Sequence, residues 1–174
     1  YSRDEITYES FLNILVDNRE ESCARQVLID LLAYLKDVRA VEPLISILQN
    51  ENEDISLRIS SSRALGQLRN ISAIEPLINI LQCEEEDINL RKSSFQALRI
   101  LKDVRIVEPL IKILQNEEED IRLRIGASLL LEEINESKGI KVLFTFLQDE
   151  DSHPLVKQMV ISRLDKTGDR YVEI

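Results

Sequence analysis

The segments Glu42-Pro43-Leu44-Ile45, Glu75-Pro76-Leu77-Ile78 and Glu108-Pro109-Leu110-Ile111 recur at a spacing of 33 residues. A fixed period of this length restricts a chain to an array of small units stacked on one another. The same step aligns Leu48-Gln49 with Leu81-Gln82, Leu114-Gln115 and Leu147-Gln148. It also aligns Asp54, Ile55 and Arg58 with Asp87, Ile88 and Arg91, and with Asp120, Ile121 and Arg124. Two separate signatures that keep one period cannot plausibly arise by chance.

One unit reads as a helix A, a short loop, a helix B and an acidic turn. In the central copy helix A is expected from Asp87 to Leu101, followed by Lys102-Asp103 and a helix B over about Arg105 to Leu114. Apolar residues return at three- and four-residue intervals in both helices, through Ile88, Leu90, Phe95, Leu98 and Leu101, then Ile106, Val107, Leu110, Ile111, Ile113 and Leu114. A single pair cannot cover two apolar stripes, so neighbouring pairs must stack into a continuous core. Only eight residues are Gly or Pro, and 44% are hydrophobic, which suits a helical array.

Degenerate copies flank the regular ones. Glu21 and Arg25 take the Asp and Arg slots, and Phe11-Leu12 and Ile14-Leu15 take the apolar slots of an earlier helix B. Towards the other end Lys141-Val142-Leu143-Phe144 replaces the Glu-Pro-Leu-Ile box, and His153-Pro154-Leu155-Val156-Lys157 replaces the Asp-to-Arg box. Terminal repeats are expected to diverge because one of their faces has no neighbour. The whole of 1–174 is expected to form a single repeat domain, with a leading B helix at about 4–16. Repeats follow at about 17–49, 50–82, 83–115 and 116–148, then a trailing A helix at about 149–167. Gly168 to Ile174 reads as the loop and opening turn of one more helix B, so the parent protein is expected to continue.

The Asp-Ile-x-Leu-Arg opening, the small residues Ser60, Ser61 and Ala64, and the stretch Asp37 to Ile45 resemble the phycobilisome-lyase-type HEAT-like repeat. The resemblance covers nearly the whole chain. It implies an all-α fold, a right-handed α-solenoid, or superhelix, of 33-residue HEAT-like helix-pair repeats. It is specific for architecture and weakly specific for function, because such repeats occur in bilin lyases, phycobilisome-degradation proteins and scaffolds unrelated to pigment.

The Asp-x-x-x-Arg boxes at Asp54/Arg58, Asp87/Arg91 and Asp120/Arg124 are expected to be a structural ladder. Each Asp can accept backbone N–H groups at the start of helix A and oppose the positive end of its dipole. Each Arg is expected to pair with the Asp of its own or the next repeat. Pro43, Pro76 and Pro109 fall early in helix B, where a missing N–H is tolerated, and Pro154 does the same for the last helix A, with His153 as a weak cap.

Charge is sorted by loop. Glu51, Glu53 and Asp54, then Glu84 to Asp87, Glu117 to Asp120 and Asp149 to Asp151 are expected to form an acidic ridge. The opposite loops carry Lys36, Arg39, Arg69, Lys102, Arg105 and Lys138. Complementing the helix dipoles explains both, and a docking edge for a basic partner is the rival explanation.

Recognition is expected on helix B, which lines the concave surface in the families this chain resembles. The candidate protein-binding face is Arg39, Glu42, Ser46, Glu75, Asn79, Arg105, Glu108, Lys112, Lys141 and Thr145. The middle position changes at every repeat while the buried positions do not, as a binding face or an unconstrained surface would. Aromatic anchors are scarce, with no Trp and with Phe144 and Phe146 confined to the last B helix.

No residue is assigned a catalytic, cofactor-binding or metal-binding role. There is no Gly-rich phosphate loop, no CxxC or HExxH box, and His153 is the single histidine. Deoxyhypusine hydroxylases of HEAT-like fold use several His-Glu pairs to hold iron, and those pairs are missing here. A net charge of -10 disfavours nucleic acid as a partner, and HEAT-like DNA glycosylases need a basic, aromatic groove. No apolar run reaches the roughly 20 residues that span a bilayer, so no membrane partner is expected and the chain is placed in the cytoplasm. Cys23 and Cys83 occupy non-equivalent repeat positions, so a disulfide framework is not expected. The leading expectation is a non-catalytic scaffold for a protein partner. The alternatives are a bilin lyase subunit or phycobiliprotein-handling factor, resting on the resemblance, and a purely structural spacer.

Overall fold

A computed structural model of the chain describes residues 3–17, 21–134, 137–150 and 152–164. The described elements are helical: α1 (Arg3–Val16), α2 (Ser22–Tyr34), α3 (Val41–Gln49), α4 (Ile55–Leu68), α5 (Ile74–Gln82), α6 (Ile88–Leu101), α7 (Val107–Gln115), α8 (Ile121–Ile134), α9 (Ser137–Gln148) and α10 (Pro154–Leu164). Even-numbered helices are the A helices of the repeat and odd-numbered ones the B helices. The expected loop at 168–174 and Asp151 of the expected acidic ridge lie outside the described residues.

The chain groups into two compact units, residues 1–101 and 102–174. In the first, α2, α4 and α6 pack side by side as one layer and α1, α3 and α5 as a second, each A helix lying on the B helix that precedes it in the chain. In the second, α8 and α10 form the A layer and α7 and α9 the B layer. Each unit is thus an α-solenoid stack, with its core between the layers. Leu44, Leu48, Leu57, Leu65, Leu77, Leu81, Leu90 and Leu98 are fully buried in the first unit, and Leu110, Leu114, Leu131 and Leu143 in the second. Burial of each such side chain contributes about 1.5–3 kcal/mol.

Local chemistry starts α4, α6 and α8 and stops α2, α4 and α6. Asp54 accepts the Ser56 N–H at 2.8 Å, Asp87 the Asn89 and Leu90 N–H groups at 2.7 and 3.2 Å, and Asp120 those of Arg122 and Leu123 at 2.9 and 3.2 Å. At the other end Lys36, Arg69 and Lys102 adopt left-handed conformations, with φ of 53°, 52° and 50°. After α2, the Asp37 N–H reaches back to the Leu32 carbonyl at 3.1 Å, the closure typical of a helix ending on a left-handed residue.

Helix B begins later than its apolar spacing suggests. Residues Val38–Ala40, Ile71–Ala73 and Val104–Ile106 form 3₁₀ turns, capped by Asp37, Asn70 and Asp103, before α3, α5 and α7 start. The reason is Pro43, Pro76 and Pro109 at the third helical position, which have no N–H to give the carbonyl four residues back. Position 142 is Val, and there the α-helix runs back to Ser137. The trailing A helix, expected from about 149, starts at Pro154, with the His153 Nδ1 accepting the Leu155 N–H at 3.2 Å.

Candidate functional site

The B helices each turn one apolar side to the core and one polar side to solvent. In the first unit Glu42 and Ser46 on α3 and Glu75 and Asn79 on α5 are exposed. In the second, Glu108 and Lys112 on α7 and Lys141 and Thr145 on α9 are exposed as well. The neighbouring pairs α3/α5 and α7/α9 therefore bring these residues together in two groups of four. Between them lie Leu44, Leu77, Leu110 and Leu143, all fully buried.

Two of the candidate residues stand outside the B helices. Arg39 and Arg105 sit in the 3₁₀ turns, ahead of helix B, and each folds back on its own cap. Arg39 Nε and Nη2 donate to Asp37 at 2.9 and 2.6 Å, and Arg105 Nε and Nη2 to Asp103 at 2.8 and 3.1 Å. These hydrogen bonds hold the Asp37 and Asp103 carboxyls below their ordinary range. Glu108 also has a local partner, the Lys138 ammonium. Of the two large aromatics on α9, Phe144 is exposed and Phe146 is buried.

The arginines of the repeated box are buried, and the carboxylate partner of Arg25 and of Arg58 is a glutamate rather than the expected aspartate. Arg25 donates through Nε to the Leu15 carbonyl at 2.9 Å, and through Nη1 and Nη2 to Glu53 at 2.9 and 2.6 Å. Arg58 repeats the pattern, with Nε on the Leu48 carbonyl at 2.9 Å and both Nη atoms on Glu86. Arg91 and Arg124 keep the Nε bond, to the Leu81 carbonyl at 3.0 Å and the Leu114 carbonyl at 3.2 Å. The Asp of each box is left to cap its helix. Glu53 and Glu86 are consequently tied into the stack, and the acidic character of their turns rests on neighbours such as Glu51, Glu84, Glu85 and Asp87, which are exposed.

The two cysteines differ in setting. Cys23 is an exposed free thiol on α2 and Cys83 a partly exposed one after α5. Burial, with Glu85 accepting from Sγ at 3.4 Å, pushes the Cys83 thiol up. Among the described residues no group of three or more His, Cys, Asp or Glu is placed to hold a metal ion, and no helix is long and apolar enough to cross a membrane.

Two features lay beyond the sequence reading. Val38 and Ile71, equivalent by the 33-residue step, project from the 3₁₀ turns with 61% and 69% of their surface exposed. In the second unit a pocket of about 330 Å³ opens between the ends of α7 and α9 and the turn before α10, beside Arg124. The signal for the pocket was in the sequence: the glutamate at 53, 86 and 119 becomes Ser152 at the next step of 33.

The family model described as HEAT repeats matches residues 8–99 and 41–129, together more than half of the chain. No match was found among curated proteins. Among solved structures, the complex of CpcE and CpcF of phycocyanin lyase from Nostoc sp. PCC7120 superposes with a TM-score of 0.56 at 21% identity, over 90% of this chain and 75% of that one. At that identity the likeness is one of fold. Human deoxyhypusine hydroxylase in complex with glycerol overlaps with a TM-score of 0.39 at 14% identity, over 95% of this chain and 97% of that one, too loosely to carry an argument. A match of this extent to a repeat whose period the helices themselves keep makes the chain a member of the HEAT-repeat family.

Proposed function

We propose that this chain is a non-catalytic scaffold that binds a protein partner on the exposed face of its B helices. HEAT repeats suggest protein interaction in general. The observation that carries the reading here is a contrast within each helix. Ser46, Asn79, Lys112 and Thr145 occupy one exposed position of successive repeats and differ in every copy, whereas the buried position two residues earlier is Leu each time. Stacking holds the core position constant, and a partner whose surface changes along the array would demand the variation outside.

Lys112 is the probe of choice, because Glu108 is also engaged with Lys138. With the whole chain as bait in lysate at physiological salt, a specific partner is expected to be retained, and Lys112→Glu is expected to release it while leaving the melting temperature unchanged. Retention of the same partner by the variant would overturn the assignment of this face. A pigment-handling role has the fold likeness to the phycocyanin lyase complex in its favour, and the raised Cys83 thiol speaks against a bilin thioether there. A red-shifted, protein-dependent absorbance band on adding bilin would favour that role over the scaffold.

A further inference from the structure

We propose that the pocket beside Arg124 binds a singly charged carboxylate carrying a short apolar group. A repeated Arg–Glu pattern breaks at this pocket. Arg25 and Arg58 each receive a carboxylate from the residue 28 positions on, Glu53 and Glu86. The residue 28 positions beyond Arg124 is Ser152. Its backbone sits in the same turn, since the N–H groups of Glu53, Glu86 and Ser152 bond to the carbonyls three residues back, at 3.0, 3.3 and 3.3 Å. Only the side chain has changed, from a carboxylate that reaches the guanidinium to a hydroxyl that donates to Asp149 at 2.9 Å.

Arg124 is 3% exposed, as buried as its counterparts. Its side-chain bonds are to two backbone carbonyls, Leu114 through Nε at 3.2 Å and Glu117 through Nη1 at 3.4 Å. Among the described residues it meets no carboxylate. A buried guanidinium without a counter-ion is costly, and its planar fork matches a carboxylate bidentately. The space is there to receive one: Arg124, Ser152 and Thr145 line the pocket together with the apolar Val142 and Phe146, at a volume within the range of small-ligand sites.

The rim sets the selectivity. Glu117 and Asp149 also line the pocket, and their negative charge opposes any anion that enters. That repulsion doubles for a dianion, and phosphate also lacks an apolar part to place against Val142 and Phe146. A monocarboxylate, whether a small acid or the side chain or terminus of a peptide, meets the guanidinium with a single charge. This inference is independent of the scaffold reading, because a small acid needs no protein partner.

The test is thermal unfolding and calorimetric titration of the whole chain with hexanoate and 3-phenylpropionate, with inorganic phosphate and hexylamine as controls, and with a short peptide ending in Phe to separate peptide from small-acid recognition. The acids, or the peptide alone if its backbone is needed, are expected to bind saturably and raise the melting temperature, with phosphate at least tenfold weaker. Ser152→Glu returns the missing carboxylate to the chain. It is expected to raise the melting temperature by roughly 2–4 °C without ligand, the shift that a modest stabilisation gives a chain of this size, and to abolish the response to every acid. Undiminished binding by Ser152→Glu, phosphate binding as tight as the acids, or no response to any acid or peptide at millimolar concentration would each overturn the proposal. Because Ser152→Glu is expected to stabilise the chain, lost binding in that variant cannot be ascribed to unfolding.

Discussion

Glu53 shows how one carboxylate links the repeats to pH. Arg25 donates two hydrogen bonds to it, both side chains are more than nine-tenths buried, and the Arg25 bonds hold the Glu53 carboxyl below its ordinary range. A folded pKa below the unfolded one gives stabilisation that is complete above the ordinary glutamate value of about 4.3 and is lost as pH falls through the depressed value. Glu53→Gln is therefore expected to cost about 3 kcal/mol at neutral pH, the usual effect of stranding one member of a buried pair. It is also expected to flatten the fall in stability below pH of about 4.3. Urea titrations of both proteins across that range measure this, and parallel pH profiles would refute it. The pair was only half legible in the sequence. The period identified Arg25, Arg58 and their equivalents, but glutamate and aspartate stand side by side at 53/54 and 86/87, and spacing does not tell which of two adjacent acids turns inward. The backbone N–H groups of the next helix decide it, by claiming the aspartate.

Among the elements, α4 and α6 approach closely, and small residues make that possible. A Cβ added to Gly66 would stand 2.8 Å from the Ala97 Cα and 2.9 Å from its Cβ. Ser93 donates from the same helix to the Ile59 carbonyl at 3.2 Å, and the Ser62 and Ser94 hydroxyls lie 3.3 Å apart. In the last turn of α4, Gly66→Ala would by itself gain at most about 1 kcal/mol of helix propensity. Overpacking against backbone, which cannot rotate away, typically costs 1–3 kcal/mol. The substitution is expected to lower stability by about 1 kcal/mol net, and a denaturation midpoint above wild type would show that the two helices separate freely. The helix-pair architecture was legible because 3.6-residue periodicity and a 33-residue step are both properties of the sequence. The starts of the B helices were not, since the apolar pattern runs through Ile106 and Val107 without a break, while a proline two residues further on decides where the α-helical ladder can begin.

For the molecule as a whole, charge is the property that no single repeat reveals. The chain carries a net charge of -10. Much of the acid stands in the turns before the A helices, where Glu84, Glu85 and Asp87 are exposed together, as are Glu117 and Glu118. Two opposed effects follow when salt is added. Exposed pairs such as Arg39–Asp37 and Lys138–Glu108 weaken, but each contributes about 0–1 kcal/mol and is local. Self-repulsion among the acids weakens too, and it acts over the Debye length of about 10 Å at 0.1 M salt, far enough to link every acid of a turn. The buried Arg25–Glu53 and Arg58–Glu86 pairs are shielded from ions and change least. Repulsion therefore dominates the balance, and the melting temperature is expected to rise by a few degrees as sodium chloride is raised from about 0.05 to 0.5 M, most steeply at the low end where the Debye length shrinks fastest. A melting temperature that falls with salt would mean that the exposed ion pairs outweigh the acidic turns, and that these turns stabilise the array instead of merely keeping it soluble.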